Sequence, residues 1–184
     1  MTVPETVHLT SDLCEAVCDA DILILVVTSA GTRDVLTQIV SSPNFSEKTI
    51  LLNASKGFEY PSLKTLADVI KELAPNNPFA VISGPTLAPE IVQGQPTAAV
   101  IASEELSVAK TLQQILSTDR FRLYTNTDVM GVELGGSLKN IFAIVSGYMV
   151  YKGLGDNARA TLITRGLAEM TRFAIAMGAG DLQT

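Results

Sequence analysis

The chain has 184 residues, 47% of them hydrophobic and 17% charged, with a formal net charge of −6. That length and apolar content exclude a disordered chain. The acidic balance argues against non-specific nucleic-acid binding, which needs Lys and Arg to displace counterions. It leaves room for an anionic substrate, because a local basic site can sit in an acidic protein.

The first element is a short helix over Ser11–Cys18. It carries Cys14 and Cys18 four residues apart, and His8 is the only histidine, so a zinc ion would lack ligands and incidental thiols are expected. So few cysteines suit the cytosol. The N-terminus has no basic stretch followed by an apolar core, so no signal peptide is expected. Ile22–Thr28 (ILILVVT) is apolar on both faces and β-branched, as a buried parallel strand should be. Its strongly apolar part, Ile22–Val27, is far shorter than the roughly 20 residues of a membrane helix, so no membrane span is expected.

Further strands are expected at Thr49–Asn53, Phe79–Ser83, Thr97–Ile101 and Phe121–Thr125. Helices are expected between them at Gly31–Val40, Ser62–Leu73, Leu87–Val92 and Glu105–Leu116. This alternation implies an α/β fold with a doubly wound parallel sheet. Beyond Thr127 the pattern changes to two helices, Val129–Val150 and Asn157–Met177, separated by Gly153–Asp156. Asp156 or Asn157 is expected to cap the second helix and Gly178 to end it, with Gly178–Thr184 as a turn. Residues 1–127 therefore form a sheet domain, and 128–184 open a helical one. A doubly wound nucleotide-binding domain starts with a strand and a glycine turn. Here a short helix precedes the first strong strand, so the opening βαβ unit is expected to be missing.

Three stretches carry candidate chemistry. Asn53–Gly57 (NASKG) follows a strand, where parallel sheets bind ligands, and Lys56 there either meets a phosphate or cofactor or is an ordinary loop lysine. Ser83–Glu90 (SGPTLAPE) also follows a strand; Gly84 and Thr86 either approach a ligand or make a plain strand-to-helix turn. Gly135–Asn140 (GGSLKN) puts two glycines, Lys139 and Asn140 inside an apolar helix. Helix-interior glycines cost about 1 kcal/mol each relative to alanine, so close approach to sheet or ligand is expected in return. A lysine desolvated there would lose basicity and suit acid/base work; otherwise it snorkels to solvent. Gly153, Gly155 and Ala158 fit a loose dinucleotide-binding pattern but follow a helix, so they are not read as a cofactor site.

Taken together, NASKG, SGPTLAPE, GVELGGSLKNIFAI and GLGDNARATLITRGLAEM resemble the bacterial NAD(P)-dependent glycerol-3-phosphate dehydrogenase family, from about Val7 to Met177 and most closely over Gly131–Met170. The resemblance implies a truncated Rossmann-like NAD(P)-binding domain, followed by the first helices of an all-α substrate domain. It implies reversible reduction of dihydroxyacetone phosphate to sn-glycerol 3-phosphate, for glycerophospholipid synthesis, with NAD or NADP as cofactor. Lys139 would be the acid/base and Asn140 would orient the substrate. Lys56 would contact cofactor and substrate, Gly84 and Thr86 the substrate, and Ala88 the cofactor. No metal is implied. The family's glycine-rich first turn and its downstream substrate-binding aspartate and Ser-Arg-Asn stretch have no counterpart, and Asp181 follows the second helix too soon to be that aspartate. Thr28–Gly31 (TSAG) lacks the usual proline, and Leu87 and Pro89 replace the family's Phe and a polar residue. Two other readings stand beside this one. The chain could be a non-catalytic interaction module that dimerises through its apolar helices, or a related hydroxyacid dehydrogenase.

Overall fold

Strand Ile50–Asn53 (β2) shows how the sheet acquires two apolar faces. Successive side chains point to opposite sides, and Leu51 and Leu52 are both buried, one in each of two separate clusters. The computed structural model describes residues 3–180. Asp181 and the remainder of the expected terminal turn lie outside the described residues.

The sheet has five strands in the order β1 (Ile22–Leu25), β2, β3 (Phe79–Ser83), β4 (Thr97–Ala102) and β5 (Phe121–Asn126). One face is covered by α1 (Leu13–Val17), α2 (Thr32–Val40) and α3 (Leu66–Leu73), which bury Val17, Leu36, Ile39 and Ile70 against Leu25 and Leu51. The other face is covered by α5 (Leu106–Leu116), where Val108, Ala109 and Leu112 meet Leu52, Ile101 and Leu123. Asp12 caps α1 by accepting from the amides of Cys14 and Glu15. Helix α3 starts at Leu66 rather than Ser62. Thr65 and Asp68 close a capping box there, and residues 59–64 are used in a turn with Leu63 at φ +58°.

One strand pair departs from the expected doubly wound parallel sheet. β1, β2 and β3 are parallel, as are β4 and β5, but β4 runs antiparallel to β3, with Ser83 opposite Val100. The reason lies in the connection. A parallel crossover must run back the length of the sheet, about 16 Å for a strand like β3. The only helix between β3 and β4 is α4 (Ala88–Val92), which spans about 7 Å.

Because β5 returns parallel to β4, the chain leaves the sheet at the edge opposite the carboxyl end of β3. Helix α6 (Val129–Tyr151) then climbs back over β3 and β4. Its first turn is set by Asp128, which accepts from the Gly131 amide, and by Val129, buried against Val81 and Ala102. From Val129 to Lys139 the helix rises about 15 Å, close to the length of β3, so Lys139 arrives at the residue after β3. By length and composition alone α6 could span a membrane. Its first half instead packs on the sheet and buries Glu133.

Helix α7 (Asp156–Ala176) packs back on α6, with Gly166 against the ring of Phe142. Its N-cap is Gly155, without a side-chain cap bond, rather than Asp156 or Asn157. Gly178 ends it as expected, at φ +98°, with the Gly178 amide on Ile175 O (3.0 Å) and the Ala179 amide on Ala174 O (2.9 Å). The Gly153–Ala158 stretch lies in the turn between two helices, with no strand before it.

Candidate active site

The carboxyl ends of β1, β2 and β3 share one edge, and their loops are bonded to one another. Ser55, in the loop after β2, receives the Val27 amide (3.0 Å) and donates to Val27 O (2.6 Å). The buried Asn53 side chain shapes the same loop by accepting from the Ser55 amide at 3.1 Å. Lys56 is thereby aimed at the loop after β3.

Gly84 opens that loop at close quarters. A Cβ on it would stand 2.9 Å from Ala98 O and from Ala99 Cα, so the residue must be glycine for the chain to leave β3 against β4. Its carbonyl oxygen is a shared acceptor. Lys139 Nζ donates to it at 2.8 Å, Lys56 Nζ at 3.3 Å and the Thr86 amide at 3.0 Å. Lys56 Nζ also reaches Thr86 Oγ1 at 3.4 Å. Burial first, and the charge of Lys139 second, hold the Lys56 ammonium below the usual lysine range. Of the residues singled out in the sequence, the structure brings Lys56, Gly84, Thr86 and Lys139 together. Ala88 opens α4 and Asn140 follows Lys139 on α6; both are exposed and stand outside this set of hydrogen bonds.

Three contacts seat α6 so that Lys139 arrives here. A Cβ on Gly136 would lie 2.1 Å from Ser83 Oγ and 3.2 Å from Ser83 Cβ, so the missing side chain lets the helix touch the end of β3. Among the described residues, and apart from its chain neighbours and the helix's own backbone, no heavy atom lies within 4 Å of a Cβ on Gly135. Ser137 Oγ accepts from the Gly57 amide at 3.0 Å. The buried carboxylate of Glu133 accepts from the Ala67 amide at 3.1 and 3.3 Å, in the first turn of α3. Sequence reasoning missed Glu133 and Ser137, although one turn separates them on the helix that carries Lys139.

A second set steadies the loop after Lys56. Arg33, at the start of α2, donates to Glu59 from Nε at 2.5 Å and to Glu72 from an end nitrogen at 2.9 Å. Glu59 also accepts from Ser62, and Glu72 from Lys64. The hydrogen bonds from Arg33 are the main reason both carboxyls sit below the usual range.

Glu133 makes the pH behaviour testable. Burial pushes its carboxyl up to about 7 from 4.5, against the opposing pull of the α3 amides. A folded-state pKa above the unfolded one means stability is fully present below about pH 4.5 and is lost as pH rises through about 7. The shift corresponds to roughly 3 kcal/mol. Glu133→Gln does not titrate. Its melting temperature relative to the wild type should therefore rise between about pH 5 and pH 7 and level off above that in parallel thermal melts. A difference independent of pH would show that Glu133 is not the group responsible.

The chain matches the family described as NAD-dependent glycerol-3-phosphate dehydrogenase, its N-terminal part over residues 1–109 and its C-terminal part over residues 128–184. It is 44% identical over 178 residues to a glycerol-3-phosphate dehydrogenase [NAD(P)+] of Teredinibacter turnerae, covering 97% of this chain and 52% of that protein. It is 46% identical over 173 residues to the enzyme of that name from Geobacter sulfurreducens, covering 92% of this chain and 51% of that protein. The crystal structure of glycerol-3-phosphate dehydrogenase from Coxiella burnetii superposes with a TM-score of 0.87 at 40% identity, covering 96% of this chain and 54% of the other. The chain thus spans about half the length of the curated relatives it matches.

Proposed function

Because the chain belongs to the NAD-dependent glycerol-3-phosphate dehydrogenase family, we propose that its site serves the reversible NAD(P)H-dependent reduction of dihydroxyacetone phosphate to sn-glycerol 3-phosphate. On this reading residues 1–127 meet the dinucleotide and residues 128–184 open the region that holds the substrate. The observation that carries the proposal is the convergence of Lys56 and Lys139 on one carbonyl oxygen. An ammonium group has three donors, whereas a carbonyl has two lone pairs. Gly84 O cannot satisfy both lysines and the Thr86 amide, so the spare donors suit an anionic, oxygen-rich substrate.

The residues present fit the reacting end of a dinucleotide. The Ser55 bonds fix the loop after β1 beside Lys56, and Ala88 begins α4 with a small exposed side chain. Lys56 and Ala88 are the residues that would meet the cofactor. NAD(P)H, when bound, supplies the hydride that reduces the carbonyl carbon. Lys139 donates a proton from Nζ to the carbonyl oxygen of the substrate and takes it back in the oxidation direction. Gly84 O holds Lys139 Nζ in place until the substrate oxygen replaces it. Lys56 and Thr86 fix the substrate, and Asn140 orients it from the next position on α6. This chemistry suits a cytoplasmic enzyme, and the exposed apolar side chains of α6 and α7, among them Ile144 and Leu167, suit a homodimer.

The test is oxidation of NADH and of NADPH by the purified chain, with and without dihydroxyacetone phosphate, and with a 2-keto acid as the competing substrate. Turnover that requires dihydroxyacetone phosphate supports the proposal. Turnover with the keto acid instead, or no turnover together with no calorimetric binding of sn-glycerol 3-phosphate, overturns it.

A further inference from the structure

We infer that Ser137 is a positioning residue: its hydroxyl ties the Lys56 loop to helix α6 and so sets the approach of the Lys56 ammonium to that of Lys139. The inference rests on the reading of the site given above. The Ser137 hydroxyl has one proton, and it donates that proton to Glu133 O, one turn back on its own helix, at 3.0 Å. The lone pairs are thereby aimed away from α6, and the Gly57 amide donates to one of them at 3.0 Å. Gly57 is the residue after Lys56 and turns the chain at φ +113°, a conformation that side chains resist. The sharp turn and the Ser137 bond together decide where the Lys56 side chain begins. Two residues along α6, Lys139 begins from the same helix, so one hydroxyl references both lysines to a common frame.

The pair needs such a tether because like charges on one acceptor repel. Among the described residues no carboxylate is bonded to either ammonium. Glu59, the nearest acid in the loop, is turned to Arg33 and Ser62, and Glu133 is turned to the first turn of α3. The charged group that faces Lys56 is Lys139, and the other polar partners are Gly84 O and Thr86 Oγ1. Without an acceptor at position 137, the Gly57 amide loses its partner and the Lys56 loop can relax away from α6. Lys56 then regains solvent and distance from Lys139, and both changes make it more basic.

The experiment is competitive acetylation of the whole chain across pH 6–11, with the extent of labelling at each lysine read by mass spectrometry. Exposed Lys110, on α5, serves as the internal reference. In Ser137→Ala the titration midpoint of Lys56 should move up, read against the labelling of Lys110 in the same sample. Ser137→Thr keeps the hydroxyl and should restore the wild-type midpoint. Loss of stability alone would move neither lysine selectively. Should Ser137→Ala fail to fold, Ser137→Cys, with a weaker acceptor, gives the same comparison. An unchanged Lys56 midpoint in a folded Ala or Cys variant overturns the inference, as does an equal shift in the Thr variant. Protection of wild-type Lys56 and Lys139 by sn-glycerol 3-phosphate is measured in the same samples. Its absence would count against the substrate reading and would leave the Ser137 tether standing on the midpoint shift.

Discussion

Lys139→Met is expected to lower kcat for dihydroxyacetone phosphate by roughly 10²–10⁴-fold, the usual contribution of a positioned general acid. Methionine keeps the apolar stem, so α6 should stay seated through Glu133, Gly136 and Ser137, none of which involves the ammonium. Lys139→Arg separates charge from proton transfer. Arginine retains the positive charge but does not give up a proton at ordinary pH, so substrate affinity should survive in part while kcat falls nearly as far as with methionine. Lys56→Met should show the opposite split, with KM raised more than kcat is lowered, because Lys56 is assigned to holding the substrate. The measurement is steady-state kinetics of the three variants in both directions. A Lys139→Met protein within tenfold of the wild-type kcat would remove Lys139 as the acid. Lys56, which points at the same carbonyl, would then be the next candidate.

The parts of this site that could be read from the sequence are those where residue type has a narrow use. A lysine inside an apolar helix and a glycine directly after a strand drew notice to Lys139 and Gly84 with their plainer uses left open, and in the structure Lys139 Nζ donates to Gly84 O. The helical region was legible for a related reason. Long apolar stretches without turn residues leave little choice, and α6 and α7 begin and end within a residue or so of expectation. Where competing uses exist, the sequence misled. Val26–Thr28 is apolar enough for a strand, but the Val27 amide and carbonyl bond to the Ser55 hydroxyl rather than to a ladder, and β1 ends at Leu25. The antiparallel β4 was signalled by the shortness of the connection over residues 84–96, yet strand–helix alternation suggested parallel pairing. Glu133 and Ser137 went unnoticed because each looks like an ordinary helix residue. Their meaning depends on what lies across the interface, the Ala67 and Gly57 amides, and no spacing along the chain reveals that.

The adjacent glycines of α6 divide that question into two halves with opposite signs. The expectation was that close approach offsets the helix cost of both. The structure assigns it to one: Gly136 faces Ser83 and the stem of Lys56, whereas a Cβ on Gly135 meets nothing within 4 Å outside its own helix among the described residues. Gly135→Ala should therefore stabilise the fold by about 1 kcal/mol, raising the melting temperature by roughly 2–4 °C for a chain of this size. Gly136→Val should do the reverse. Its branches would press on Ser83 Cβ and toward Lys56 Cγ, 3.2 and 3.9 Å from the added Cβ. Overpacking of this kind costs about 1–3 kcal/mol. The larger consequence is geometric. Relief of the clash lifts α6 from the end of β3 and carries Lys139 Nζ away from Gly84 O, and a displacement of about 1 Å at a reacting group can cost roughly 10²-fold in rate. Thermal melts and kcat measured on the two variants test both halves. If Gly136→Val melts and turns over like Gly135→Ala, the contact with Ser83 is not what places the lysine, and the seating of α6 would have to come from Glu133 and Ser137 alone.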